Sequence, residues 1–598
     1  MSHTAILGPD GVIARRLGNY EVRPQQLEMA DAVARAIARR NHLMVEAGTG
    51  VGKTFAYLVP AILAALADKE CRIVISTHTI SLQEQLIHKD IPFLQSVLPR
   101  PFNAVLVKGR SNYLSLRRLR VAQQRVRSLL AEEGPAGQLL KIGRWSRKTF
   151  DGSRSDLDFQ PLPLVWDLVE SDSNNCLGRN CPEYDKCFYF KARKHVHGAN
   201  VLIVNHALFF SDLALRRAGG GLLPKYQVAI LDEAHTLEDV AAEHMGLQVT
   251  RGQIEYLLNK LYNDRRSRAN GLLTLYGSDE ALKQVHTVRT ALEGFFSQLL
   301  AWRQTQARRP AGPRSAIPSS DSIRVRQPAI ISDTLSEELL KLGLLVGKIA
   351  EKVTAEEEQI ELMAAARRCE MLGTDLQSWL GQKLPGQVYW IDVSGEQTQR
   401  IALASAPIDV GPALREQLYS QVPTVVLTSA TLSAGGREGF DFFRQRLGLE
   451  DGVTLQLGSP FNYREQAELH LFRKMPDPSA KPDEFEEASL EKIKEYVKRT
   501  GGRAFVLFTS YQTLQRAATR LRSWCHDEGF PLIAQSDGRP RTQMIEQFRT
   551  AGNAVLFGVD SFWQGVDVQG EALSNVIITK LPFAVPDRPL TEARLEAI

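Results

Sequence analysis

Two short strings in this sequence carry residue types that could do chemistry together. Residues 48–54 read Gly-Thr-Gly-Val-Gly-Lys-Thr. Glycines spaced in this way let successive main-chain N–H groups wrap a phosphate chain, and a helix beginning at Lys53 turns its positive end toward the same anion. The Lys53 ammonium would reach the terminal phosphates, and the Thr54 hydroxyl would ligate Mg²⁺. Gly48, Thr49, Gly50, Val51, Gly52, Lys53 and Thr54 are therefore the expected nucleotide-binding loop, although the strict pattern would have a glycine where this chain has Ala47. The second string is Asp232-Glu233-Ala234-His235, which closes the apolar run Val228–Leu231. An acid at a strand tip can hold Mg²⁺ and the next acid can polarise an attacking water, so Asp232 takes the first role and Glu233 the second. His235 would pass the nucleotide state to a neighbouring motif. Alone, the acidic string could equally cap a helix. Together with the glycine loop it completes an ATP and Mg²⁺ site, provided the two strings meet in space.

The elements that must position these strings follow from hydrophobic periodicity. Residues 23–39 form an amphipathic helical pattern, Met44–Gly48 a short buried strand, and the residues after Lys53 an apolar helix leading to the strand Arg72–Thr77. Strand–helix–strand with continuous apolar strands predicts an α/β fold built on a parallel, doubly wound sheet. The rhythm resumes at Val201–Asn205, Val228–Glu233 and Val425–Ala430, each strand ending in polar residues. Ligands of such sheets sit beyond the carboxyl ends of the strands. Two stretches break the rhythm. Residues 108–199 contain a cysteine cluster, and residues 245–400 read as mostly helical, with Ser336–Val353 as an example and a Pro/Arg/Ser-rich surface loop or linker over 307–328. After Pro460 a second α/β rhythm begins, with strands at Ala504–Phe508, Ala554–Val559 and Val576–Thr579.

Composition bounds the class without choosing it. The 598 residues suffice for several domains, and 43% hydrophobic with 24% charged residues excludes a wholly disordered chain. A net charge of +5 is compatible with a polyanionic partner. The apolar stretch Phe55–Ala67 contains Pro60 and is too short to span a bilayer, and residues 1–16 lack the pattern of a secretory signal. A cytosolic protein without membrane partners is expected.

With these strings in hand the sequence resembles a known family. The glycine loop, Asp232–His235 and Thr428-Ser429-Ala430-Thr431 resemble the motifs of superfamily 2 helicases. Lys108–Leu114 (KGRSNYL), Val201–Phe209 (VLIVNHALF), Gly458–Phe461 (GSPF) and Ser561–Gly570 (SFWQGVDVQG) narrow the likeness to the DinG/YoaA branch of the XPD-like DNA helicases, over nearly the whole chain. The resemblance implies two RecA-like motor domains. The first would comprise residues 1–107, 200–244 and 401–462, interrupted by an iron–sulfur insert (108–199) and a helical arch insert (245–400), and the second residues 463–598. It implies ATP-driven 5′-to-3′ translocation on single-stranded DNA and the unwinding of duplex or forked DNA, in repair, by a nucleoid-associated monomer. By position, Gln26 matches the adenine reader, Thr77, His78 and Thr79 a motif touching single-stranded DNA, and Thr509 and Ser510 phosphate contacts. Gln564, Gly565 and Asp567, with Thr428–Thr431, match coupling motifs. A helix cap at Thr77–Thr79 is the competing reading.

Cys176, Cys181 and Cys187 match three of the four ligands of the family's 4Fe–4S cluster, while Ser115 stands where the fourth would be. A hydroxyl is a hard, weakly acidic donor beside thiolates. Three readings stay open: a cluster completed by Ser115 or water, a zinc site completed by His195 or His197, and a metal-free thiol knot. Cys71, Cys369 and Cys525 are isolated. The adjoining run Lys108, Arg110, Arg117, Arg118, Arg120, Arg125 and Arg127 carries no acid and could grip a DNA backbone, with Arg110, Arg117 and Arg118 the named contacts. Its competing reading is a solvated helix face, and Tyr113 could stack a base or sit in a core. The chain ends in a helical pattern at 590–598, before the family's QxxGRxxR motif. A truncated protein that binds ATP but unwinds little is the expectation drawn from that, and a nucleic-acid-binding ATP clamp is the rival reading.

Overall fold

The computed structural model describes residues 2–17, 20–124, 133–217, 220–264, 269, 271–307, 321–395, 400–435, 439–559, 562–563, 566, 568, 570–583, 586 and 588–597. Along the chain the strands are β1 (Leu43–Ala47), β2 (Ile73–Thr77), β3 (Ala104–Leu106), β4 (Val201–Asn205) and β5 (Val228–Asp232). They continue with β6 (Gln248–Thr250), β7 (Ser322–Val325), β8 (Gln387–Ser394), β9 (Arg400–Pro407), β10 (Thr424–Ser429) and β11 (Val453–Leu457). The last four are β12 (Ala504–Leu507), β13 (Leu532–Ala534), β14 (Val555–Gly558) and β15 (Asn575–Ile578). The chain divides into two compact units, residues 1–460 with 586–598, and residues 461–585.

In the first unit seven strands pair side by side in the order β11-β1-β10-β5-β2-β4-β3, all parallel. Side chains of a strand alternate between faces, so a parallel sheet must be apolar on both. Leu43, Val45, Ile73, Ile75, Val201, Ile203, Val228 and Ile230 enter one core, packed against the helices Pro24–Arg39 and Lys53–Ala67. Met44, Val74, Leu202, Val204, Ala229, Leu231, Val425 and Leu427 enter the other. Strands separated by hundreds of residues are thus one sheet, and their carboxyl-terminal tips lie along one edge.

The two sequence interruptions take different forms. Residues 108–199 hold short helices and two isolated bridges, Tyr113 to Ser153 and Leu114 to Glu170, around their own apolar cluster. Residues 245–400 were expected to be mostly helical, and the long helices are there, Ser336–Lys352 and Glu356–Leu380 among them. Helices do make up most of this stretch, and the sequence reading lacked the four-stranded antiparallel sheet, β6-β9-β8-β7, that backs them. Strand β8 alternates, with Tyr389, Ile391 and Val393 inward, and Trp379 donates its indole N–H to the Ala404 carbonyl at 2.8 Å. Of the Pro/Arg/Ser-rich segment, residues 308–320 lie outside the described residues and Ser322–Val325 is strand β7 instead of loop.

The second unit carries a parallel sheet in the order β13-β14-β12-β15, with helices Pro482–Arg499 and Tyr511–Asp527 contributing to its core. The range 463–598 expected for the second motor differs from this division at its end. The helix Pro589–Glu596 belongs to the first unit, where Arg594 pairs with Glu238 at 2.9 Å and with Asp239 at 2.7 Å. Arg324 and Arg326 meet Glu592 and Glu596 of the same helix. Among the described residues no helix is long and apolar enough to cross a membrane.

Candidate functional site

Register fixes the geometry of the first site. Val45 of β1 lies opposite Thr428 of β10, and Thr428 lies opposite Asp232 of β5. The glycine loop and the acidic tip therefore sit on strands with one strand between them, and the span is closed by side chains. Lys53 and Tyr57 are one turn apart on the helix that follows the loop, so both face the same way. The Tyr57 hydroxyl donates to Asp232 Oδ2 at 3.1 Å and also bonds the Thr54 side chain. Asp232 is buried. Burial and the neighbouring Glu233 push its carboxyl up to about 6, against the lowering influence of Lys53, the Tyr57 hydrogen bond and the Glu233 main-chain N–H. Burial and Asp232 together drive the Tyr57 hydroxyl well above its ordinary range, so it stays a donor.

The loop itself is braced from below. Gly50 and Gly52 adopt φ of 84° and 80°, where an L side chain is strained. A β-carbon on Gly52 would stand 2.2 Å from Gln26 Nε2. Gln26 is buried, donating from Nε2 to the Gly52 carbonyl at 3.0 Å and accepting the Tyr20 hydroxyl at 2.9 Å. Arg23 donates to the Gly50 carbonyl. The residue expected to read adenine thus holds the loop, with both polar ends of its amide engaged. Gly48 lies against the main chain of Ser459 in the Gly458–Phe461 string, whose Ser459 hydroxyl reaches the Thr49 carbonyl at 3.5 Å.

Glu233, the expected water-activating base, stands at φ 55°, a left-handed conformation that costs a non-glycine residue roughly 1–3 kcal/mol. That turn at the end of β5 aims its partly exposed carboxylate at the next strand tip. His235 Nδ1 and Ser429 Oγ share a hydrogen bond at 2.7 Å, and Glu233 Oε2 lies 3.4 Å from His235 Nδ1 and 3.5 Å from Ser429 Oγ. Burial lowers the His235 imidazole, partly opposed by Glu233. Thr428 is fully buried and its hydroxyl has no hydrogen-bond partner among the described residues, whereas Ala430 and Thr431 emerge beyond the strand. Sequence reasoning missed Tyr57 and Glu46. The Glu46 carboxylate of β1 accepts the Leu432 and Ser433 main-chain N–H groups at 2.6 Å each and the Gln456 amide at 2.8 Å, which hold its carboxyl below the usual range despite burial. It ties the segment after Thr431 to the strand that launches the glycine loop. A carboxylate inside an otherwise apolar strand was the available signal.

The expected DNA-contact residues divide sharply. Thr77 is buried, with its hydroxyl on the Thr79 carbonyl at 3.4 Å, and Thr79 caps the helix Ile80–Gln85 by accepting the Leu82 N–H at 3.3 Å. The capping reading is the one these two side chains satisfy, and His78 alone of the three is exposed. In the basic run, Arg117 is buried and donates to the Asn175 carbonyl at 3.0 Å and to its side chain. Arg118 is buried and donates to the Glu170 and Asp167 carbonyls at 2.6 and 2.5 Å. Arg110 donates to Ser171 Oγ at 3.1 Å and lies over the Tyr189 ring at 4.3 Å. Arg120 pairs with Glu183 and Glu357. The expectation of a gripping surface is corrected at Arg117 and Arg118. In a segment with little regular structure, their forked donors satisfy main-chain carbonyls. Arg125 and Arg127 lie outside the described residues. Tyr113 is in the insert's core, edge-on to Tyr189.

A cavity of about 920 Å³ opens where β3 and β4 end against this insert. Lys108, Lys191, His88 and His195 line it together with Glu84, Asp151 and Asp156, Lys108 pairing with Asp151 at 3.4 Å, and Phe150, 97% exposed, stands among its lining residues. Cys176, Cys181 and Cys187 are free and half-buried in two short turns and the start of the helix Phe188–Gly198. Burial pushes the Cys187 thiol up, and the nearby Cys176 and Cys181 thiols add to the shift. Ser115 Oγ caps the helix Leu116–Gln124, accepting the Arg118 N–H at 3.4 Å. The donors present thus fall one thiolate short of a four-sulfur set. Among the described residues no group of three or more ligating side chains converges, and His195 faces the cavity. In the second unit Ser510 caps Tyr511–Asp527 through the Thr513 N–H at 3.2 Å, and Thr509 and Ser510 are both exposed. Gln564, Gly565 and Asp567 lie outside the described residues.

Comparison with known proteins agrees along the chain. Residues 23–148 match the DEAD/DEAH box helicase family, 169–254 the DEAD_2 family and 493–598 the helicase C-terminal domain. The ATP-dependent DNA helicase YoaA of Escherichia coli (strain K12) is 33% identical over 98% of this chain and 86% of its own length. The ATP-dependent DNA helicase DinG of Photobacterium profundum is 30% identical over 98% of this chain and 87% of its own. A solved XPD helicase covers 96% of the chain at a TM-score of 0.51 and 16% identity, covering 88% of that protein, a likeness of fold.

Two outcomes follow from this geometry. To serve as a metal ligand Asp232 would have to be ionised, so with that role the apparent Mg²⁺ affinity at fixed ATP would fall below about pH 6, in a titration of nucleotide-dependent Mg²⁺ binding. Replacing Arg118 by Ala orphans buried carbonyls, lowering stability by about 2–3 kcal/mol in denaturant melts. It leaves the salt dependence of single-stranded DNA binding unchanged, as a phosphate contact would not.

Proposed function

The chain belongs to the family of the ATP-dependent DNA helicases YoaA and DinG, and we propose that it hydrolyses ATP at the edge formed by β1, β10 and β5 to move along single-stranded DNA and part a duplex. The observation that carries this reading is the junction of Thr54, Tyr57 and Asp232. It brings the glycine loop and the acidic tip together around the place a magnesium-bound triphosphate would occupy.

In this reading the free N–H groups at the start of the helix Lys53–Ala67, together with the residues of the loop from Gly48 to Gly52, bind phosphate oxygens. Lys53 neutralises the terminal phosphate, and Thr54 and Asp232 hold Mg²⁺. Glu233, turned outward by its left-handed backbone, accepts a proton from the attacking water. His235 and Ser429 hold that carboxylate from the side, so a shift of β10 moves the base. Thr428, Ala430 and Thr431 take part in that coupling, as would Gln564, Gly565 and Asp567. Gln26 stands beside the loop as the residue for adenine, and repair at the nucleoid is the setting.

Single-stranded DNA is assigned to the 920 Å³ cavity bordered by Lys108, Lys191, His88 and His195, with His78 on an adjoining tip and Phe150 as a stacking platform. Thr509 and Ser510 would contact phosphates from the second unit. For the thiol triad the reading is a metal held by Cys176, Cys181 and Cys187 with a fourth position not supplied by cysteine, and iron, sulfide and zinc content of anaerobically purified protein tests it. No hydrolytic step passes through that group.

Lys53→Ala is expected to cut ATP turnover at least about a hundredfold while leaving single-stranded DNA affinity within twofold. Turnover that survives this change contradicts the site. Phe150→Ala is expected to weaken binding of an oligothymidine roughly tenfold to a hundredfold by fluorescence anisotropy, with DNA-free hydrolysis unchanged.

A further inference from the structure

The string Val201–Phe209 contains a histidine that no step above uses. His206 follows β4 directly, is 1% exposed, and its Nδ1 shares a 2.7 Å hydrogen bond with Ser76 Oγ of β2. Among the described residues its enclosed Nε2 finds no partner at full hydrogen-bond geometry. Burial, with His78 and His235 nearby, drives the imidazole down to about 3, so it is neutral throughout the working range. The main-chain carbonyl of Asp232 faces the ring from β5, and the His78 ring lies 6.1 Å away, centroid to centroid.

The sheet order gives this placement its meaning. β2 lies between β5 and β4, so a side chain from the tip of β4 that touches both Ser76 and the end of β5 crosses over the tip of β2. On the far side, His235 continues the row to Ser429 of β10. The tips of β4, β2, β5 and β10 thus carry polar groups side by side, His206 and Ser76 bonded at one end, His235 and Ser429 at the other, and the Asp232 main chain between the two pairs. A buried polar residue that leaves one nitrogen unmatched costs stability, and a hydrophobic residue there would cost less. A rigid imidazole offers what an apolar side chain lacks, a directional bond to Ser76 on one edge while its other edge lies against the neighbour's main chain.

We propose that His206 is a positioning residue that transmits the state of the Thr77–Thr79 tip to Asp232 and Glu233, so that hydrolysis answers to single-stranded DNA. Displacement of the β2 tip carries Ser76 with it. The ring follows through the Ser76 bond and presses on the main chain just before Glu233, whose left-handed conformation leaves it little latitude. The inference rests on the DNA-dependent activity proposed above.

The test uses the full chain and an oligothymidine as the DNA probe, comparing His206→Asn, His206→Gln, Ser76→Ala and the His206→Gln/Ser76→Ala pair with the unaltered protein. ATP turnover and KM without DNA are expected to stay within twofold in every variant, as is the dissociation constant for the oligothymidine. The factor by which DNA accelerates turnover is expected to fall about tenfold in His206→Gln and Ser76→Ala. His206→Asn, which keeps a polar atom where Nδ1 stands, retains more of the acceleration. The pair is no worse than either single change, since both break one link. Undiminished acceleration in Ser76→Ala and His206→Gln overturns the inference. Additive losses, or a parallel fall of DNA-free turnover, overturn it as well, the latter by marking a merely structural role. Absence of any acceleration in the unaltered chain fails the underlying functional reading instead, and the inference falls with it.

Discussion

A carboxylate buried at a strand tip, held by a tyrosine from the helix after the glycine loop, is the contact on which the rest of the site depends. An ionisable group taken out of water is costly unless its lone pairs find donors. Asp232 meets that condition with the Tyr57 hydroxyl, the Glu233 main-chain N–H and the field of Lys53. The Tyr57 hydroxyl comes from an element 175 residues earlier in the chain, so its bond joins the β1 side of the sheet to β5 across β10.

The same edge concentrates unfavourable features that the surroundings hold in place. Glu233 is left-handed, and among the described residues the buried Thr428 hydroxyl and one nitrogen of His206 have no hydrogen-bond partner. Each would relax if the neighbouring tips were free to drift. They are restrained by the apolar cores on both faces of the sheet and by Glu46, whose carboxylate fastens the segment after Thr431 to β1. Polar groups held under such restraint are the ones able to respond to a ligand, because small shifts change which contacts are satisfied.

Much of this was legible in the sequence, for identifiable reasons. Buried parallel strands are apolar without interruption, so Val201–Asn205, Val228–Asp232 and Thr424–Ser429 declared themselves, and glycines required at positive φ marked the loop at Gly50 and Gly52. What stayed hidden depends on distant partners. Arg117 and Arg118 look like surface charge in a run without acids, yet the acceptors they meet are main-chain carbonyls, which no composition records. Gln26 was placed at adenine by resemblance, and its hold on the Gly52 carbonyl shows only once the loop is brought against its helix. The strands β8 and β9 do alternate, but the long helices that precede them dominate the periodicity of that stretch.

The central claim is that the glycine loop and the acidic tip grasp one magnesium-bound triphosphate between them. Electron spin resonance with Mn²⁺ in place of Mg²⁺ and a non-hydrolysable ATP analogue addresses it directly. The account requires a tightly bound metal showing phosphorus hyperfine coupling, with the binding lost or strongly weakened in both Thr54→Val and Asp232→Asn. Metal binding of equal strength and unchanged coupling in either variant would mean that the two elements do not share a ligand.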